Sequence, residues 1–142
     1  RRRQIFETAI PEKYRIIHSE YSNLAENSLE ALKRAVFLQW YSVVEPLAFS
    51  GLDELNSKDI LHNFLILDNL HRESKIDNEL LEMIKFYFRI SDWYFLKYLK
   101  YSRLIELMLS TQSEQPSLGI FKNMSDRGLM GNYWKEIIEN DH

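Results

Sequence analysis

Apolar and small residues recur at Tyr14, Ile17, Tyr21, Leu24, Ser28, Ala31, Ala35 and Leu38 in alternating steps of three and four, the period of a helix with one buried stripe. Pro11 suits a first helical turn, and Pro46 is placed to end the helical run. The pattern therefore predicts a long helix over about residues 11–45, with a break near Asn23 or Asn27. From Val36 onward only Gln39, Ser42 and Glu45 interrupt the apolar residues. Their spacing of three puts them on one narrow stripe, so this half of the helix is expected to be buried nearly all round.

After a connection through Phe49, Ser50 and Gly51 and a short turn at Leu52 to Leu55, Asn56 or Ser57 is placed to cap a second helix. Asp59 then lies in its first turn, where the helix dipole favours it. Ile60, Leu61, Phe64, Leu65, Leu67 and Leu70 are the expected buried face. A brief link, Glu73 to Ile76, leads to Asp77 as the next cap, and links that short join antiparallel neighbours. The third helix is expected over about residues 78–110, with Ser91 and Asp92 as a candidate interruption. If it is continuous, Lys85, Arg89, Asp92, Lys100, Arg103 and Glu106 share one arc and the rings take the rest.

Those rings are the densest feature of the chain: Phe86, Tyr87, Phe88, Trp93, Tyr94, Phe95, Tyr98 and Tyr101. They cannot share one stripe, so other elements or a partner must cover the segment on several sides. Trp93 and Phe95 are both expected to be buried. Ser110 to Ser117 is polar and carries a proline, the composition of a linker. Tyr133, Trp134, Ile137 and Ile138 then make a short amphipathic segment. The expectation is an all-α fold: an antiparallel bundle of three main helices plus a short C-terminal helix. Residues 1–110 would form the bundle core, and 111–142 the linker and a short helix packing on the same domain.

Composition narrows the function classes. At 142 residues the chain is long enough for one real core. It has no cysteine, which excludes disulfide staples, thiolate metal sites and thiol nucleophiles. Four glycines and three prolines are too few for the turns of a β-sandwich or barrel. A net charge of −3 and a pI near 5.8 give no global attraction to nucleic acid or anionic lipid, though a local patch remains open. The longest apolar run, Val36 to Phe49, is too short and too polar to cross a membrane. The arginines at positions 1–3 match the positive residues found just cytoplasmic of a span. The expected location is therefore the cytoplasm, with a membrane tether upstream of Arg1 as the sharper version.

Candidate chemistry falls into four groups. Asp59 and His62, like Asp68 and His71, have the spacing of three used by metal sites in bundles. The two histidines, however, lie nine residues apart and point to opposite faces, with only Glu45 as a further ligand in an apolar setting. No metal and no cofactor is expected. Gln39, Ser42 and Glu45 form either a small polar pocket around a buried carboxyl or a structural hydrogen-bond set, and a lone Glu without base, nucleophile or metal is not a mechanism. Lys85, Arg89, Lys97, Lys100 and Arg103, interleaved with rings and offset by Asp92, are the one strong local positive excess. Such residues can dock a partner or track a phosphate backbone and stack bases. Gly128 to Gly131 fits a G-x-x-G loop without the strands such a loop needs, and reads as a turn. No phosphate loop and no nucleophile elbow occurs. The expected function is a non-enzymatic protein interaction or self-association module, whose partner is another protein or a second copy. The alternative is a nucleic-acid-binding domain using the basic side of the third helix.

Overall fold

Ser28 breaks the first helical run by capping the next: its side chain accepts a hydrogen bond from the Ala31 N–H at 3.1 Å, and its backbone is extended. The single long helix expected over 11–45 is therefore two, α1 (Arg2–Leu24) and α2 (Leu29–Val44), separated near Asn27 as anticipated. The computed structural model describes residues 2–45 and 55–140, with the backbone alone for 2–12. The turn expected at 49–55 lies outside the described residues except for Leu55, which is buried, and the side chains of Arg1, Arg2 and Arg3 lie outside them altogether. Pro11 is not in a first turn: α1 reaches back to Arg2, since one proline removes one backbone donor without forbidding helical φ.

Asn56 caps α3 (Ser57–Arg72) through two backbone N–H groups, and Asp77 caps α4 (Asn78–Leu99) through the Leu80 N–H at 2.7 Å. α4 bends at Ser91, whose φ of −140° and ψ of 57° leave the helical region, and Asp92 restarts it by accepting from the Trp93 N–H at 2.7 Å. The third helix does not run to 110. Ser102 caps a separate α5 (Arg103–Ser110) by accepting from the Ile105 N–H. Beyond the 111–117 link, two short 3-10 turns, Leu118–Ile120 and Met124–Asp126, lead into α6 (Gly128–Asn140). The glycine pair expected to be a turn instead opens this helix. Gly128 has a φ of +64°, and Gly131 packs so closely that a Cβ there would lie 1.8 Å from the Met124 carbonyl oxygen.

The chain is all-helical among its described residues, and the directions of the helices are set by which residues meet. Tyr21 meets Arg34 and His18 meets Gln39, so α1 and α2 run antiparallel. Ser19 meets Asp59 and Ser22 meets Asn63, so α1 and α3 run parallel. Lys33 meets Asp77 and Trp40 stacks on Tyr87 at 4.3 Å, so α2 and α4 run parallel. Four long helices therefore replace the expected three. On α3 the inward stripe is Ile60, Asn63, Phe64 and Leu67; Leu61 and Leu65, expected inside, are exposed. The stripe rotates toward Asn63 because α1 and α2 supply it with hydrogen-bond partners.

Candidate functional site

The outer face of α4 and the turn after it carry a group of solvent-facing rings and cations. Trp93 is 56% exposed, Ile90 52% and Tyr101 91%, whereas Trp40 and Trp134 are 1% and 0% exposed. This corrects the expectation that Trp93 is buried; Phe95, on the opposite side, is buried as expected. The Ser91 bend and the α4–α5 break explain the difference: the rings do not have to fit around one straight helix. Tyr87, Phe88, Tyr94 and Phe95 turn inward, and Trp93 is left outside.

Arg89, Lys97 and Lys100 share helical spacing with Trp93, and Arg103 follows in the first turn of α5; all four are exposed. Asp92 and, one turn beyond Arg103, Glu106 are the acidic residues among them. Lys97 and Lys100 each sit 5.4 Å from the centroid of a neighbouring ring, Tyr98 and Tyr101, which steers their ammonium groups along the surface. Lys85 does not belong to this face. It lies before the bend, its side chain is 19% exposed, and it pairs with Glu82 at 3.5 Å and Glu114 at 3.9 Å. Nor do most of the rings: Tyr94 is buried, and Tyr98 stacks on Phe64 at 5.0 Å.

The stripe Gln39, Ser42, Glu45 splits apart. Gln39 is fully buried, Ser42 is half-buried and donates to the Gln39 carbonyl at 2.7 Å, and Glu45 is exposed at the C-cap of α2. Since α2 rises out of the core toward its end, the stripe passes from inside to outside. Gln39 joins residues that lie far off in sequence. Its Oε1 is 2.9 Å from His18 Nε2 and accepts from Asn63 Nδ2 at 3.0 Å, and its own amide donates to the Ile60 carbonyl at 3.4 Å. Asn63 also donates to Ser22 Oγ at 2.9 Å, and Ser22 donates to the His18 carbonyl at 2.7 Å. His18, Ser22, Gln39 and Asn63 are all buried. Burial pushes the His18 imidazole below its ordinary pKa, against the opposing pull of Gln39 and the Asp59 charge, and so favours its neutral form. With Gln39 Oε1 as acceptor, Nε2 is assigned the proton and Nδ1 is a buried acceptor without a partner. The sequence reading missed these residues: His18 and Asn63 are next to apolar stripe positions Ile17 and Phe64, and only the packing of α1 and α3 on α2 turns them inward.

A second polar cluster ties α2, α4 and the start of α6. Arg127 grips Glu30 with Nε at 2.9 Å and Nη2 at 2.6 Å, and Nη2 also reaches Glu79 at 2.5 Å. Lys33, itself buried, bonds Asp77 at 2.8 Å and Glu79 at 3.0 Å, and Arg34 bonds Glu30 at 2.9 Å. Partial burial raises the pKa of Glu30 and Glu79, but the hydrogen bonds from Arg127 and its neighbours outweigh it and hold both carboxyls below their usual range. Three cations face three carboxylates, so the cluster is internally neutral.

The histidine and carboxylate pairs take ordinary partners. Asp59 accepts from Ser19 at 2.9 Å, His62 lies 3.6 Å from Glu26, and Asp68 lies 3.5 Å from Arg72. Among the described residues no three His, Cys, Asp or Glu side chains gather closely enough to hold a metal ion, and no helix is long and apolar enough to cross a membrane. Compared with protein-family models, with curated proteins and with solved structures, the chain matches none of them.

Proposed function

We propose that this chain is a non-enzymatic interaction module that docks an acidic protein partner on the outer face of α4, with Trp93 as the anchor. One observation carries the reading. Two of the three tryptophans are buried, while the third stands on the surface near Ile90, in a stretch, residues 89–106, that carries four cations against two carboxylates. An exposed aromatic ringed by positive charge has the composition of a binding hot spot, and Trp and Arg are the side chains that anchor interfaces. The positive charge is a local reversal in a chain of net charge −3, and it selects a partner of opposite sign. Pairing of this face with itself would set cation against cation, so the docked partner is a different protein. The polar residues that could carry chemistry, His18 and Ser22, are buried within the helix packing and support a structural role. The location that accords with this reading is the cytoplasm, either free or tethered by a segment upstream of Arg1.

Trp93 supplies its own probe, since Trp40 and Trp134 are shielded from solvent. Titration with a synthetic acidic, leucine-bearing amphipathic peptide is expected to shift the tryptophan emission to the blue. The shift should vanish in Trp93→Phe and weaken in Lys97→Glu/Lys100→Glu. A larger response to a single-stranded oligonucleotide, falling steeply with salt, would replace this reading with nucleic-acid binding. Concentration-dependent light scattering with no response to either probe would replace it with self-association through another face.

A further inference from the structure

Between α1, α2 and the start of α6 lies a groove that encloses about 180 Å³. Its two sides differ in chemistry. Ile17, Phe37, Leu38 and Met130 form an apolar floor, and the last three are buried, so the core behind them holds the floor in place. The opposite wall carries Arg34 and Tyr21. The space is comparable to a ~150 Å³ apolar cavity that takes one benzene ring.

Hydrogen-bond capacity decides what the polar wall can hold. Arg34 donates through Nε to Glu30 at 2.9 Å and through Nη1 to the Tyr21 hydroxyl at 3.3 Å. A guanidinium has five N–H donors, and among the described residues the Nη2 pair has no acceptor. Tyr21, as the acceptor from Arg34, keeps its own hydroxyl proton to give. Arg127 on the same rim is committed to Glu30, Glu79, the Lys122 carbonyl and Met124 Sδ. One end of the groove therefore offers donors, and apart from Tyr14, Arg127 and Gly128 the rest of the lining is apolar. Glu30 stands behind Arg34 and already pairs with it, so a second negative charge on the ligand would add repulsion without finding a further donor.

We propose that this groove binds a small aromatic monocarboxylate, its ring against Ile17 and Leu129, the partly exposed apolar residues of the lining, and its carboxylate on Arg34 Nη2 and the Tyr21 hydroxyl. The site is separate from the docking face on α4 and does not depend on it.

The test is an amide-resonance titration of the full chain with 3-phenylpropanoate, with 3-phenylpropan-1-ol as the uncharged control. Saturable shifts centred on Tyr21, Arg34 and Leu129 are expected, with a Kd of about 1 mM, as befits so small a ligand. The alcohol should bind roughly tenfold more weakly, and Tyr21→Phe and Arg34→Met should each weaken the acid by about the same factor, the loss expected for a charge-assisted hydrogen bond. Because Arg34→Met also frees Glu30, Tyr21→Phe, which keeps the ring and removes one hydroxyl, is the deciding variant. Equal binding of acid and alcohol, unchanged affinity in Tyr21→Phe, or no saturable shift up to about 20 mM, well past that Kd, would each overturn the proposal.

Discussion

Gln39 and Trp40 are neighbours in sequence and belong to two different kinds of core. Trp40 faces a dry assembly of rings: it stacks on Tyr87 at 4.3 Å, and Trp134, stacked on Phe121 at 4.3 Å, donates its indole N–H to the Tyr87 hydroxyl at 2.9 Å. Gln39 faces the polar set of His18, Ser22 and Asn63. The ring assembly gains most of its stability from buried apolar area, which depends little on the exact register of the helices. The polar set gains little net energy but is costly in any register that leaves its members unpaired. One side of α2 thus supplies cohesion, and the other fixes how α1 and α3 are set against it.

The strongest way to sharpen this contrast is to remove a ring from each setting. Trp134→Ala should cost about 3–5 kcal/mol, the range for large core truncations, measured by urea unfolding. Trp93→Ala, by contrast, should stay within about 0.5 kcal/mol, as for other surface substitutions; a cost comparable to that of Trp134 would mean that Trp93 is covered. Next in size, Gly131→Ala drives a methyl into the Met124 carbonyl and should cost about 2 kcal/mol as an overpacking effect. Wild-type stability in that variant would show that α6 can slide away from the turn before it.

Asn63→Ala leaves Ser22 and Gln39 short of a partner, and about 2 kcal/mol is expected. The substitutions Asn63→Ala and Gln39→Ala should be non-additive in a double-mutant cycle, whereas Asn63→Ala and Trp134→Ala should add. Additivity within the polar set would break the claim that it acts as a unit.

The smallest effect is the pH dependence. His18 has a lowered folded pKa, so below its ordinary value of 6.5 the unfolded chain binds a proton that the folded chain refuses. Stability should therefore fall as pH drops from 6.5 toward the folded pKa, and this loss should disappear in His18→Gln. Glu30 and Glu79 also have lowered pKa values. Their contribution is present above the ordinary 4.5 and is lost as pH falls through their folded values, a second and more acidic step. A single transition, unchanged in His18→Gln, would remove the imidazole from the account. Tyr133, pushed up to about 12 by burial and by the nearby Tyr41 and Glu45, stays protonated throughout.

Three of the helix starts were legible because they are local chemistry. Asn56 and Asp77 cap where the sequence placed them, and the break before Leu29 falls at a polar turn next to Asn27. The Ser102 cap has the same chemistry but sits inside a run that also reads as continuous helix, and local signals cannot rank a cap against an unbroken period. For the candidate site, Arg89, Lys97, Lys100 and Arg103 were readable as a positive excess, and helical spacing accounts for the shared exposure of Arg89, Lys97 and Lys100 but not for Arg103, which lies beyond the α4–α5 break. Lys85 is held off this face by Glu82, one turn before it, and by Glu114, nearly thirty residues on, and only the first of these is visible in the local pattern.

The sequence by itself determined that the chain is helical, where three of the helices begin, and which residues could serve as rings, caps and charges, because these depend on neighbours within about four positions. Tertiary structure decided that Trp93 faces water and Trp134 does not, that Asn63 replaces Leu61 and Leu65 in the core, and that Gln39 parts from Ser42 and Glu45. Each of those outcomes depends on a partner helix tens of residues away. A helix wheel shows which side chains share a face, and only the packing of one helix against another selects the face that is buried.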